Sequence, residues 1–206
     1  MSGFIELALY DWLYAIILFV FIIVVIYAVK KFRNVWVNRK IIHLSSVPAV
    51  IFYMYFFETL YPFLFFSILF TILLTIKHFK GDLDSWFQVD GNYGEIFFTF
   101  SYALISFLFW YVDRVLGGLI MLFLAVGDSV TGIIRSRFVS RWQKHWTGSL
   151  AMLIVSIFLG YILYGLLGVV LGVIATIAEY QPYIDDNLSI PLSTATISLL
   201  AITLTL

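Results

Sequence analysis

Apolar residues arrive along this chain in long runs, and polar residues in short clusters between them. Runs of spanning length cover residues 10–29, 41–57, 60–76, 95–112, 115–134, 149–163, 165–179 and 188–206. At a rise of ~1.5 Å per residue against a hydrocarbon core of ~30 Å, each is read as a transmembrane helix. The pattern predicts an all-α, polytopic membrane protein of about eight spans, a single integral-membrane domain over residues 1–206. Residues 149–179 must hold two short spans that turn near Tyr164 and Gly165, so seven spans is the rival count. The first run follows Glu6 and Asp11 rather than a basic stretch and has no small-residue cleavage site after it. It is therefore expected to be a retained helix, not a signal peptide.

Charge orients these spans. Lys30, Lys31, Arg33, Arg39 and Lys40 follow the first run, Lys77 and Lys80 the third, and Arg135, Arg137, Arg141 and Lys144 the fifth, which leaves Arg114 alone on the other side. The positive-inside tendency then places these loops in the cytoplasm and the N-terminus outside. Composition agrees, because 63% hydrophobic and 12% charged residues leave no room for a soluble surface. A net charge of zero argues neither for nor against an acidic partner, and the lack of cysteine excludes a disulfide framework, thiolate metal sites and a cysteine nucleophile.

Ionisable groups at membrane depth are costly, so each is a candidate functional residue until a bland partner is found. On the expected topology they converge at the cytoplasmic side: Arg39, Lys40 and His43 at the mouth of the second span, Glu95 at the mouth of the fourth, and Asp128 near the end of the fifth. The basic loop after Asp128 and the acidic group Glu179, Asp185 and Asp186 join them. Carboxylates bind Mg2+ through hard oxygen ligands while Arg and Lys grip phosphate oxygens, and a metal-nucleotide site needs both. Neither GxxxxGK[ST], GxGxxG nor HExxH occurs, so a Walker-type ATPase, a Rossmann domain and a zincin lack support. Nor does a basic-aromatic platform suggest nucleic acid.

Bland readings stand beside these. Arg39 and Lys40 also serve as positive-inside anchors, and His43 also reads as a polar residue satisfied by neighbouring backbone. Arg137, Arg141, Trp142 and Trp146 are expected to be interfacial anchors, and His78 and His145 surface residues. Gly168 and Gly172 have the spacing of close helix packing, and the loop with Asp82, Asp84 and Asp90 reads as a solvated connector.

The order "RKIIH" (39–43), "GE" (94–95) before an apolar helix, "GDSVTGIIR" (127–135), "KHWTGS" (144–149) and "AEYQPYIDDNLSIPL" (178–192) resembles the membrane-embedded polyprenol kinase family, which includes dolichol kinase and phytol kinase. The resemblance spans a kinase-like core at 39–192 and leaves out the span at 10–29; "GDSVTGIIR" is closest to archaeal members. Thr147 stands where many members have glutamate, and Val130 and Thr131 where many have alanine. The resemblance implies transfer of the γ-phosphate of a nucleoside triphosphate, usually CTP, to a polyprenol or other isoprenoid alcohol, with Mg2+ or a similar divalent cation. It implies Asp128 and Asp186 as metal ligands or, in one case, the group that orients the hydroxyl, and Glu95 as a further ligand. Arg135 and Lys144 would hold phosphates, Arg39, Lys40 and His43 phosphate or cytosine, and Asn187 would complete the coordination or bond the nucleotide. Gly148 with Ser149 would join the nucleotide- and phosphate-binding residues and let the next helix approach closely. The expected partners are the two substrates and the bilayer, with room for a homodimer. A CTP-dependent cytidylyltransferase making a CDP-lipid is the alternative, and a transporter the weaker one, since no internal repeat is seen and the polar groups gather at one face rather than the midplane.

Overall fold

A computed structural model describes the backbone of residues 2–139 and 144–205 and the side chains of 8–139 and 144–204. Arg141 and Trp142, expected to be interfacial anchors, lie outside the described residues. The chain runs through α1 (Ser2–Ala28), α2 (Val35–Ser45), α3 (Val47–Tyr55), α4 (Tyr61–Lys80), α5 (Gly94–Phe109), α6 (Arg114–Leu122), α7 (Asp128–Arg135), α8 (Trp146–Tyr180) and α9 (Asp186–Thr205). Among the described residues, five stretches are long and apolar enough to cross a membrane: Ala8–Lys31, Tyr61–Lys80, Arg114–Arg135, Trp146–Tyr180 and Asp186–Leu204, with Gly94–Phe109 a shorter apolar helix. The architecture is all-helical and compatible with a polytopic membrane protein.

Burial orders these helices. The most apolar window of Arg114–Arg135 is 78% buried, against 11% for Ala8–Lys31, so α6 and α7 form the central rod and α1 an outer one. Leu116, Leu119, Ile120, Phe123 and Leu124 are the heart of the core. The rod is not one regular helix: a π-helical turn at Phe123–Gly127 joins α6 to α7. Such turns insert an extra residue into the helical ladder and often mark functional sites. Here Asp128 follows it directly.

One expected span is broken, and one expected turn is met. The run 41–57 is broken at Ser46, where the backbone N–H donates to the His43 carbonyl and α3 restarts with Pro48 in its first turn. Proline lacks the N–H that a continuous helix would need there, and its ring would crowd the carbonyl four residues back. Within α8, Gly165 takes φ 58° and ψ −137°, which folds the helix back on itself at the turn expected near Tyr164 and Gly165. Gly160 and Gly168 then face each other so closely that a Cβ on either would strike the other's backbone, and Gly172 lies as tightly on Ser156. The start and end of α8 meet as well, since the Ser149 hydroxyl donates to Glu179 Oε2 at 2.9 Å.

The segment between α4 and α5 is more than a solvated connector. Gly81, with φ 67°, ends α4 in the left-handed conformation, and Lys77 and Asp84 pair near the surface at 2.8 Å. Phe87 and Gln88, however, are buried. Gln88 Nε2 donates to Glu95 Oε1 at 3.2 Å, so this loop packs down onto the start of α5.

Candidate functional site

Three linked groups of charge occupy one end of the bundle. The first is built on α2, where residues 39, 40 and 43 share a helix face by their spacing. Lys40 Nζ donates to Asp128 Oδ2 at 2.5 Å, and His43 Nδ1 stands 3.7 Å from the same oxygen. The His43 ring stacks on Phe98 with centroids 3.9 Å apart. Gly132 gives the Lys40 stem its path along α7, because a Cβ there would sit in it.

The second group lies at the N-terminal turn of α5. Arg39 Nη2 stands 3.4 Å from Glu95 Oε2, and Arg39 Nη1 donates to Asn92 Oδ1 at 2.9 Å. The same Asn92 oxygen accepts from the Gly94 N–H at 3.1 Å. His78 Nε2 lies 2.7 Å from Glu95 Oε1. His78 is therefore not the surface residue expected: its side chain is 5% exposed, because Glu95 draws it inward from α4. His145 is half-buried rather than on the surface, its Nδ1 2.8 Å from the Thr147 hydroxyl at the start of α8.

The third group ties both ends of α8 to α7 and α9. Glu179, fully buried, accepts on Oε1 from Arg135 Nη1 at 3.3 Å and from Lys144 Nζ at 3.2 Å. Lys144 also reaches Asp186 Oδ2 at 3.1 Å and the Glu179 carbonyl. The Arg135 guanidinium lies 4.7 Å over the Trp36 ring, a cation–π contact back to α2. Gly148 brings α8 against α7, since a Cβ there would fall 3.0 Å from Thr131 Cγ2. Asp185 Oδ1 accepts from both the backbone N–H and Nδ2 of Asn187. Gly94 joins the second group to the third: a Cβ on it would lie 3.0 Å from Asn187 Nδ2 and strike the Arg39 guanidinium.

The electrostatics follow from burial and proximity. Burial alone would lower the Lys144 pKa, but Asp186 and Glu179 outweigh it and hold the ammonium above its ordinary value. Burial, with the neighbouring Asp186 charge added, pushes Asp185 above the usual carboxylate range. Several polar atoms here are buried and unpartnered: Asp128 Oδ1, Asn187 Oδ1, both His43 ring nitrogens and Arg135 Nε. Each such atom costs free energy in the folded state unless water or a bound group meets it. Among the described residues, no three His, Asp or Glu side chains gather as a single metal-holding group. The carboxylates are instead shared out among the cations, Asp128 with Lys40, Glu95 with Arg39, and Asp186 with Lys144.

The candidate site residues on α2, α5, α7 and α9, with Lys144, Gly148, Ser149 and the Glu179 of the acidic group, meet at this end, and the structure adds Gln88, Asn92 and, against expectation, His78. Glu179 had a signal, as a carboxylate at the tail of an apolar run. Gln88 and Asn92 had none, because loop amides are common and only the fold shows what they touch. No protein-family model matches the chain, and no curated protein or solved structure does either.

Proposed function

We propose that the chain is a membrane-embedded phosphotransferase that moves the γ-phosphate of CTP or another nucleoside triphosphate to the hydroxyl of a polyprenol-type isoprenoid alcohol. The observation that carries the reading is the interleaving of Arg39, Lys40, Arg135 and Lys144 with Glu95, Asp128, Glu179 and Asp186 at one end of an otherwise apolar bundle. The motif order from Arg39 to Leu192 supports it. Cations held in place by carboxylates are oriented before a triphosphate arrives, and phosphoryl transfer depends on such positioning and charge neutralisation. In the step itself the alcohol oxygen bonds to the γ-phosphorus and the bond from that phosphorus to the bridging oxygen breaks. Nucleoside diphosphate leaves and the hydroxyl proton is released.

Arg135 and Lys144 would take the phosphates, exchanging part of their hold on Glu179 and Asp186 for phosphate oxygens. A divalent cation such as Mg2+ supplies further neutralisation of the triphosphate when bound. Asp128 and Asn187, whose Oδ1 atoms are buried without a partner, would contribute ligands, while Glu95 and Asp186 stay with Arg39 and Lys144. The basic residues, which fall on alternate loops and so on one side of the bundle, support an eight-span topology with α8 counted twice, the N-terminus outside and the charged end in the cytoplasm.

The test is label transfer by the purified protein in detergent with Mg2+, using γ-labelled CTP and ATP in turn and polyprenols, geranylgeraniol or phosphatidic acid as acceptor. Label in an isoprenoid monophosphate with release of nucleoside diphosphate is the expected result. Pyrophosphate release with phosphatidic acid, and no labelled lipid, would replace the kinase by a cytidylyltransferase.

A further inference from the structure

An elongated cavity of about 220 Å³ lies between α1, the α2–α3 pair, α4 and α5. Its long walls are apolar, with Leu18 and Ile22 of α1 facing Phe66, Phe70 and Leu74 of α4. The two ends differ. One reaches Arg39, His43 and Glu95, the residues of the charged groups on α2 and α5, while the other is lined by Ala15, Phe57 and Phe63. Along α4 it runs from Pro62 to Lys77, which at the helical rise per residue is roughly 22 Å, most of an apolar leaflet-to-leaflet path.

Its outer wall is α1, the helix that stands outside the kinase-like stretch. This helix is poorly buried and is held by rings and a cap rather than by a wide core: Trp12 on Phe65 and Phe66, Phe19 on Phe66 and Phe70, and Tyr14 on Phe52. At its far end Asp11 accepts from the backbone N–H groups of Glu58 and Thr59. These contacts fasten its Asp11–Phe19 half while Leu18 and Ile22 face the cavity. Packing between helices in lipid rests on close contact, so an unfilled apolar slot behind α1 is a place for an apolar guest.

We infer that this cavity is the binding site for a single apolar chain, with its hydroxyl at His43 and its tail toward Ala15 and Phe57. The inference rests on the phosphotransferase reading for what happens to the hydroxyl, but not for what fills the cavity. His43 carries the polar end: its ring nitrogens are buried without a hydrogen-bond partner, and Asp128 stands 3.7 Å from Nδ1. A hydroxyl at this end lies beside the His43 ring, which itself adjoins the Lys40–Asp128 pair. One slot of this shape takes one chain, which favours an isoprenoid alcohol of geranylgeranyl length over a two-chain glycerolipid.

The experiment uses the full chain in detergent with a geranylgeraniol bearing a diazirine near the tail, photolysed and mapped by peptide mass spectrometry. Adducts are expected on cavity-facing residues of α1 and α4, competed by unlabelled geranylgeraniol and not by phosphatidic acid. Ile22→Trp fills the slot and should lower the adduct yield by about tenfold or more with little change in melting temperature. Leu74→Ala enlarges it and should raise the yield for a bulkier-tailed probe, which keeps the test open if the tryptophan variant fails to fold. Adducts confined to lipid-facing positions such as Leu166, or competition by phosphatidic acid as strong as by the alcohol, would overturn the inference. Cavity adducts without any phosphorylated lipid would uphold the chain site and sink the kinase reading. Phosphorylation undiminished in a folded Ile22→Trp would do the reverse.

Discussion

The two ends of the bundle both bury carboxylates, but they use them differently. At the Asp11 end the carboxylate accepts from the backbone N–H groups of Glu58 and Thr59 and from the Thr59 hydroxyl, all between 2.7 and 3.1 Å. Nearby, Asp113 caps α6 through the Leu116 N–H and accepts from the Tyr164 hydroxyl, and Arg114 donates to the Phe57 carbonyl at 2.6 Å. Each of these groups closes a backbone valence or a turn. At the Asp128 end, carboxylates face cations from other helices, and Asp128 Oδ1 is left without a partner. Both sets of contacts join distant elements, but the first set meets backbone groups and hydroxyls, whereas the second consists of ion pairs and leaves Asp128 Oδ1 open.

The sharpest way to break that contrast is at Asp128. Asp128→Ala strands the Lys40 ammonium in a buried site, and removing one partner of such a pair costs about 3–5 kcal/mol. A large fall in melting temperature and loss of lipid phosphorylation are expected. The pair Lys40→Met with Asp128→Leu should restore the melting temperature and not the activity. Glu179→Gln comes next: it leaves Arg135 and Lys144 facing a neutral amide, worth about 1.5–3 kcal/mol as charged hydrogen bonds. It should also weaken triphosphate binding, read as a rise in KM for the nucleotide. At the other end Asp11→Asn should cost about 1–2 kcal/mol in thermal unfolding and leave turnover per folded molecule unchanged. The smallest change sharpens the contrast most. Gly94→Ala gains up to about 1 kcal/mol of helix propensity but pushes on Arg39 and Asn187, so activity should fall while the melting temperature barely moves.

Much of this arrangement was legible in the chain. Spanning runs are set by composition and length alone, and Asp128 is conspicuous because little in an apolar run excuses it. What stayed hidden depends on long-range contact. His78 lies 17 positions from Glu95 and Glu179 lies 44 from Arg135, so no local pattern announces either pair. The break at Ser46 had a visible cause in Pro48, yet a proline near the start of an apolar run also fits a continuous span. The π-helical turn before Asp128 had no periodic signal, because one extra residue does not disturb a run that is apolar on every side.

On the proposed function, the Asp128 end works on phosphate and the Asp11 end does not. Transfer of γ-label to geranylgeraniol should therefore be measured side by side in the unaltered protein, Asp128→Asn and Asp11→Asn, each shown to be folded by its melting curve. Labelled lipid is expected from the unaltered protein and Asp11→Asn, and none from a folded Asp128→Asn. Equal transfer by all three, or label lost only in Asp11→Asn, would contradict it.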